Sequence, residues 1–377
     1  MTTKVSIVLD LGFGDSGKGV TVDYLARANP QESLVIRFSG GHQVGHTIQV
    51  GDFVHTFSNF GSGTLRGVPT YYTKYTTIFP PGILREYEHI KQFNPRLIFD
   101  PLTMVTTPYD IAFNRSREKL LKHGSCGVGF GATIDRNLEG VKLFVKDMAY
   151  SWVFRQKLQA IKDYYQQKTH NTELEEGFKE EIKHIDDSTF IELNQQCSQI
   201  YSVENFVTVK NRYGHLIFEG SQGIMLDQEH GIFPHVTRSS TTSQNAWAII
   251  NQYSVTPEKI DIYYVTRCYQ TRHGNGPMSN HKKIELQNNE MEANQHNQYQ
   301  GAFRIAELDV DLLKYALSSD VSYHGTDQIN KILVVTCLDQ RPKFELDKLL
   351  SGLSTDFEQV YINNSPEGMM TIIRQRV

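Results

Sequence analysis

The chain has 377 residues, a formal net charge of −4 and 21% charged residues, long enough for one large or two moderate domains. That near-neutral balance excludes the broad basic face that a nucleic-acid duplex needs, while a mononucleotide requires only a local cluster of cations. No apolar run reaches a membrane span, no secretory leader or internal repeat is apparent, and Cys126, Cys197, Cys268 and Cys337 lie far apart. A reduced, cytoplasmic protein with no membrane or nucleic-acid-polymer partner is expected.

The first element, residues 5–11, is an apolar run that reads as a strand, and residues 20–28 read as a helix. Between them stands Gly12-Phe13-Gly14-Asp15-Ser16-Gly17-Lys18-Gly19. Strand, glycine turn and helix, with lysine in register, follow the order of a phosphate-binding loop in which backbone N–H groups wrap an anion. A glycine-rich segment can also be an ordinary turn, and two residues depart from the Walker pattern. Gly19 replaces the Ser or Thr that holds Mg²⁺, and Asp15 puts a carboxylate where phosphate would repel it. Either a metal ion or a proton to be removed must favour that charge.

Residues 34–38 read as a second strand, leading into Gly40-Gly41-His42-Gln43-Val44-Gly45-His46-Thr47. So many glycines and histidines in one loop argue for function over packing, with a surface imidazole as the plain alternative for His46. Residues 50–60 and 70–79 read as strands closed by Pro80-Pro81-Gly82, and 108–122 as a helix. The second glycine-rich loop, 124–131, is an anion site or a connector. Residues 152–167 and 173–185 have helical spacing and a polar face, giving a helical layer over about 150–206. Residues 215–219 form a further strand before Gly220-Ser221-Gln222-Gly223, and the Ser/Thr-dense stretch 237–243 caps a helix at 246–252 or lines a polar pocket. Strands at 260–268 and 331–338 end in Thr271-Arg272-His273-Gly274-Asn275-Gly276-Pro277 and Thr336-Cys337-Leu338-Asp339. Residues from 278 to about 303 have neither period and read as a mobile excursion. The sum is an α/β fold, a P-loop-type central, mostly parallel sheet flanked by helices, in a single domain over 1–377 with ligands at the carboxyl edge.

Five of these loops, in order, resemble those of the adenylosuccinate synthetase family. Phe13 to Gly19 resembles W-G-D-E-G-K-G, and Gly40 to Thr47 resembles G-G-H-N-A-G-H-T. Phe218-Glu219-Gly220-Ser221-Gln222-Gly223 followed by Leu226-Asp227 resembles F-E-G-A-Q-G with L-D. Pro234-His235-Val236-Thr237 with Thr241-Thr242 resembles P-Y-V-T with T-T, and Thr271 to Pro277 resembles T-R-V-G-A-G-P. The resemblance implies a Mg²⁺-dependent carbon–nitrogen ligase that joins L-aspartate to C6 of a 6-oxopurine nucleoside monophosphate, with a nucleoside triphosphate cleaved to diphosphate and phosphate. By the same resemblance Asp15 takes the N1 proton and helps hold Mg²⁺ with Gly45. His46 stabilises charge between O6 and the γ-phosphate, and Lys18 neutralises phosphate. Gly14, Ser16, Gly17, Gly19, Gly45 and Thr47 would contact the triphosphate, as would Asp339 and Ser365. Gln43, Ser125, Cys126, Gln222, Thr237 and Arg136 would contact the purine monophosphate, in a homodimer.

Departures from the family accompany the matches. Cys126 replaces a threonine and Gln43 an asparagine, and an ungapped reading puts Gly140 and Val141 where an arginine reaches the partner's 5′-phosphate, with Arg136 as a nearby substitute. The aspartate loop T-T-G-R-x-R-R-T-G becomes residues 299–309, Tyr299-Gln300-Gly301-Ala302-Phe303-Arg304 onward. Arg304 is then the main aspartate ligand, with Arg272 or Arg238 as helper. Cys337 replaces the lysine that flanks guanine, which opens the donor to GTP, ATP or dATP. This pattern fits a short branch: IMP is one acceptor, and dGMP, as in phage-type enzymes that supply 2-aminoadenine, is the other. Two alternatives are a catalytically idle nucleotide-binding regulator and a P-loop nucleotide kinase.

Overall fold

The computed structural model describes residues 3–122, 124–287, 292, 301–324, 328–365 and 367–375. In chain order its strands are β1 (Lys4–Asp10), β2 (Ser33–Arg37), β3 (His46–Val50), β4 (Phe53–Phe57), β5 (Thr70–Tyr72), β6 (Thr77–Ile78), β7 (Leu97–Phe99) and β8 (Met104–Val105). They continue as β9 (Tyr201–Val203), β10 (His215–Glu219), β11 (Ile260–Arg267), β12 (Gln270–His273), β13 (Phe303–Ala306), β14 (Ile329–Thr336), β15 (Gln359–Asn363) and β16 (Met370–Gln375). Ten of them build one sheet in the order β16-β15-β14-β11-β1-β10-β2-β5-β7-β9. Every neighbouring pair in it is parallel except β15 with β16.

The central strands β1, β10 and β11 are apolar on both faces and nearly fully buried, as a parallel sheet covered by helices requires. Their carboxyl ends therefore share one edge, where Asp10, Arg37, Glu219, Arg267 and Thr336 close β1, β2, β10, β11 and β14. The helix Lys18–Ala28 follows β1 directly, and a polar layer of helices, Pro108–Leu121, Phe130–Leu138, Ser151–Thr169, Glu175–Ile182 and Asp187–Cys197, packs around Phe113, Phe154, Ile161, Tyr165 and Phe178. No helix among the described residues is long and apolar enough to cross a membrane.

Several expectations need correcting. The stretch 50–60 does not run as one strand: β3 and β4 form an antiparallel hairpin turned at Gly51, whose φ of 58° suits glycine. The stretch 70–79 is likewise broken, into β5 and β6. Pro80-Pro81-Gly82 opens the helix Pro80–Ile90 rather than closing a section, because proline at the first helical turn gives up only an N–H that has no intrahelical partner. The helical layer ends in a strand, β9, which closes the sheet at β7. Of the excursion from 278, residues 288–291 and 293–300, including Tyr299 and Gln300, lie outside the described residues.

Arg136 also requires correction. It is fully buried, and its guanidinium donates to Asp110 from Nε at 2.8 Å and to the carbonyls of Val141 at 2.6 Å and Val105 at 2.9 Å. Asp110 in turn accepts from Tyr165 at 2.7 Å and from the Thr107 backbone and hydroxyl, each at 2.7 Å, as a capping box. The arginine is a core tie between two helices, with its donors spent on protein and none turned to a nucleotide. Removing one partner leaves a buried charge uncompensated. Arg136→Leu is expected to lose about 3–5 kcal/mol in urea unfolding; a loss below about 1 kcal/mol would refute the structural assignment.

Candidate active site

The phosphate loop is organised by an aspartate that sequence reasoning passed over. Asp10, the last residue of β1, accepts from Gly12 N–H at 2.8 Å through one oxygen and from Ser16 N–H at 3.1 Å and Lys18 Nζ at 2.9 Å through the other. Both members of the Asp10–Lys18 pair are buried, so the loop shape and the lysine position are set by one carboxylate. Gly14 and Gly17 take φ of 101° and 94°, and Asp15 itself is left-handed at 60°. The Thr336 hydroxyl donates to the Ser16 carbonyl at 2.8 Å, and a Cβ on Gly17 would come within 2.9 Å of its methyl.

Asp15 keeps part of its side chain open, and its Oδ2 lies 3.5 Å from His273 Nε2. Burial raises its pKa above the ordinary carboxylate value, while His273, Arg267 and Lys18 oppose that shift without cancelling it. His46 approaches the same loop from β3. Its Nδ1 lies 2.8 Å from Glu219 Oε1, and Glu219 also accepts from the Ser62 hydroxyl and from Ser62 N–H at 3.2 Å. Burial lowers the His46 pKa against the pull of Glu219; burial would raise Glu219, but His46, Arg37 and Ser62 together hold it below its ordinary range. With Nδ1 engaged, Nε2 is the ring nitrogen left for a ligand. In the sequence Glu219 has a place at the end of a strand and in the motif Phe218 to Gly223 but no role; its pairing with His46 is visible only in the fold.

Gly19 has a steric cause. A Cβ there would stand 2.7 Å from His46 Cβ and 3.0 Å from the Ser62 hydroxyl, so the space of the Walker hydroxyl is filled by the histidine. Gly223 plays the same part for the third loop, where a Cβ would fall 2.1 Å from the Gly12 carbonyl. This packing brings Gln222 beside Gly14 and leaves its Oε1 buried and unpartnered. Both amide atoms of Gln43 are also buried without partners. His42 Nε2 lies 2.9 Å from the Val128 carbonyl, tying that loop to the second glycine loop. There Ser125 exchanges hydrogen bonds with Asn114, and burial raises the thiol pKa of Cys126.

Arg272 and Arg304 face each other across β12 and β13 as register partners. Arg272 stacks on Phe13 at 4.1 Å and donates to the Pro277 and His235 carbonyls; Arg304 donates to the Gly276 carbonyl. No carboxylate among the described residues pairs with either, and both Nε atoms are buried and unpartnered. Burial and then Arg304 lower the Arg272 pKa to about 10, and burial lowers that of Arg304. Two close cations with no carboxylate partner among the described residues suit a dianion. Arg238, the other suggested helper, is instead bound to Asp135 at 2.7 Å on the surface.

The remaining positions lie farther out. Thr47 bonds Thr56 across the hairpin at 2.9 Å, with the exposed Gly45 before His46. Thr237 N–H donates to the Leu226 carbonyl at 2.8 Å. Asp339 occupies the turn Leu338–Gln340 after left-handed Cys337, and Ser365 lies in the turn between β15 and β16, where a Cβ on Gly368 would come within 3.1 Å of Val20.

Fold and loops define a phosphate-loop α/β protein in which a carboxylate-held histidine occupies the ground of the Walker hydroxyl. The adenylosuccinate synthetase family model matches residues 7–340, and the chain belongs to that family. It is 32% identical over 289 residues to an adenylosuccinate synthetase of Pseudomonas putida and 29% identical over 287 residues to that of Legionella pneumophila; each match takes in 73% of this chain and 64% of the relative. The matched region is thus just under two thirds of these relatives' length. In fold the chain is similar to the fully ligated adenylosuccinate synthetase of Plasmodium falciparum, with a TM-score of 0.67 and 19% identity over 95% of this chain and 80% of that one. It is also similar to the cyanophage S-2L succinoaminodeoxyadenylate synthetase bound to dGMP and dATP, with a TM-score of 0.66 and 15% identity over 98% and 94%.

In an ordinary helix interior, Gly to Ala stabilises by about 1 kcal/mol. Gly19→Ala is expected to do the reverse, costing about 1–3 kcal/mol through overpacking on His46. Urea unfolding checks the sign.

Proposed function

We propose that the protein joins L-aspartate to C6 of a 6-oxopurine nucleoside monophosphate, with a nucleoside triphosphate cleaved to diphosphate and phosphate. The observation that carries this reading is the pairing, at one phosphate loop, of a carboxylate whose acidity burial has weakened with an imidazole anchored by a buried glutamate.

Asp15 accepts the N1 proton of the purine, and the electron pair moves to O6, which attacks the γ-phosphorus as the bond to the β-phosphate oxygen breaks. His46, neutral when the site is empty, gains proton affinity as triphosphate charge arrives, and its Nε2 donates to the oxygens between O6 and the γ-phosphate. Lys18 and the loop N–H groups hold phosphate oxygens. The aspartate amine then forms the C6–N bond as the C6–O6 bond breaks, and phosphate leaves. Arg272 and Arg304 hold the two carboxylates of aspartate, and Gln222 reads the base. Gln43, Ser125, Cys126 and Thr237 meet the monophosphate.

Magnesium is part of this reading. It prefers hard oxygen ligands, commonly one or two carboxylates completed by phosphates and water. Asp15 fits, since its carboxylate is not spent on loop N–H groups as that of Asp10 is, and the Gly45 carbonyl is a second candidate. Among the described residues no cluster of three acidic, histidine or cysteine side chains is built to hold an ion alone. The bound ion would neutralise phosphate charge during transfer.

Acceptor and donor follow from what the chain retains and lacks. IMP and dGMP are the acceptors to compare. Cys337 in place of the guanine-flanking lysine favours ATP or dATP beside GTP. The chain works as a homodimer in this reading, and the exposed side chains of Leu138, Tyr150 and Trp152 offer apolar surface for it.

Crossing IMP and dGMP with GTP, ATP and dATP, and following aspartate-dependent phosphate release, tests the proposal; release that ignores aspartate refutes it. Asp15→Asn should abolish release and leave triphosphate affinity within about threefold. Because a base acts ionised and the Asp15 pKa is raised, kcat/KM should fall with decreasing pH through a midpoint above the ordinary carboxylate range; a midpoint at or below that range contradicts the assignment. Arg304→Leu and Arg272→Leu should each raise the aspartate KM about 10–100-fold, one charge-assisted contact apiece, with the monophosphate KM as control.

A further inference from the structure

At the carboxyl end of β11 stands Arg267, a buried arginine that the reading above leaves without a role. We propose that Arg267 is a positioning residue that couples the turn Leu338–Gln340, read above as the donor-base contact, to the backbone of Asp15. The inference rests on that reading of both sites.

Asp15 is a non-glycine residue at φ 60°, a conformation that persists only where its surroundings impose it. The peptide that follows it is held from both sides. Its N–H, on Ser16, donates to Asp10 at 3.1 Å, and its carbonyl, on Asp15, accepts from Arg267 Nε. The other end of the same guanidinium reaches away from the loop. Nη1 donates to the Tyr269 hydroxyl at 2.6 Å and to Glu292 at 2.6 Å, and the Tyr269 hydroxyl donates to Gln340 Oε1 at 2.5 Å. Gln340 follows Asp339 directly, and its N–H closes the turn onto the carbonyl of left-handed Cys337. The rings of Tyr269 and Phe303 lie against the guanidinium, at 5.3 and 5.8 Å.

A displacement of the turn is therefore transmitted through three hydrogen bonds, from Gln340 to Tyr269, from Tyr269 to Arg267 and from Arg267 to the Asp15 carbonyl, to the peptide that aims the Asp15 carboxylate. Only a planar fork with diverging N–H groups serves both ends, because a lysine ammonium is a single point on a flexible stem. Arg267 touches no reacting atom, so its effect should appear in turnover and in coupling more than in acceptor or aspartate KM.

The test uses the full chain with Arg267→Lys, Gln340→Leu and the double variant, with Tyr269→Phe as a milder break in the same path. Arg267→Lys is expected to lower kcat about 30-fold or more, with the monophosphate and aspartate KM within about threefold and a melting transition like that of the parent. The double variant should be no slower than Arg267→Lys alone, since Gln340 acts through the arginine. Calorimetric titration with ATP and GTP gives a second reading that needs no turnover: the affinity losses of the two single variants should be non-additive. Near-parental kcat in a folded Arg267→Lys, or additive losses in the double variant, overturns the coupling. If the parent shows no aspartate-dependent phosphate release, the ligase reading fails by itself, and the calorimetric cycle still decides the coupling. If Arg267→Lys does not fold, Tyr269→Phe combined with Gln340→Leu decides it by the same non-additivity.

Discussion

The structure depends first on the carboxylate of Asp10. Placed at the buried end of β1, it is shielded from solvent, and burial of an unpaired charge would cost several kcal/mol. The loop supplies what it lacks: Gly12 N–H, Ser16 N–H and the Lys18 ammonium converge on its two oxygens. Satisfying one buried acid thus bends the chain through Gly14, Asp15 and Gly17, all with positive φ, and holds the lysine at the head of its helix. For the phosphate proposed to bind here, the loop is already shaped and the cation already in place, so little ordering would be left to binding.

From this shape follows the exchange that separates the site from a Walker loop. In the usual pattern a hydroxyl follows the lysine; here that volume is taken by His46 and Ser62, which approach Gly19 too closely for any Cβ. The same approach hands His46 to Glu219, at the end of the strand beside β1. With that hydroxyl gone, the remaining carboxylate of the loop is Asp15, which lies 3.5 Å from His273 and takes no part in the loop's own N–H bonding. Acid, imidazole and lysine are one solution to a packing problem around a glycine.

The arginine pair shows the complementary case. Arg136 looks like a ligand in the sequence and is a structural cation, because Asp110, Tyr165 and Thr107 surround its charge and that of its partner. Arg272 and Arg304 have carbonyls for partners and no carboxylate among the described residues, and burial depresses both. What separates Arg136 from the other two is the charge that faces each, which depends on residues distant in the chain.

The chain sequence alone determined the local features. Strand, glycine spacing and lysine marked the phosphate loop, the apolar runs at 5–11, 215–219 and 260–268 marked buried strands, and the order of five loops marked the family, because each depends on residues close together. Even the Gly51-Asp52 turn between β3 and β4 was written there, though 50–60 read as one strand. The tertiary structure decided what depends on distant segments meeting at one sheet edge. It made Asp10 the organiser of the loop and Glu219 the holder of His46, gave Gly19 its reason, and set Arg136 in the core while leaving Arg272 and Arg304 with no carboxylate partner among the described residues. Hydrogen bonds and charge act over a few ångströms of space, and residues 46 and 219, or 136 and 110, become neighbours only when the strands and helices between them are packed.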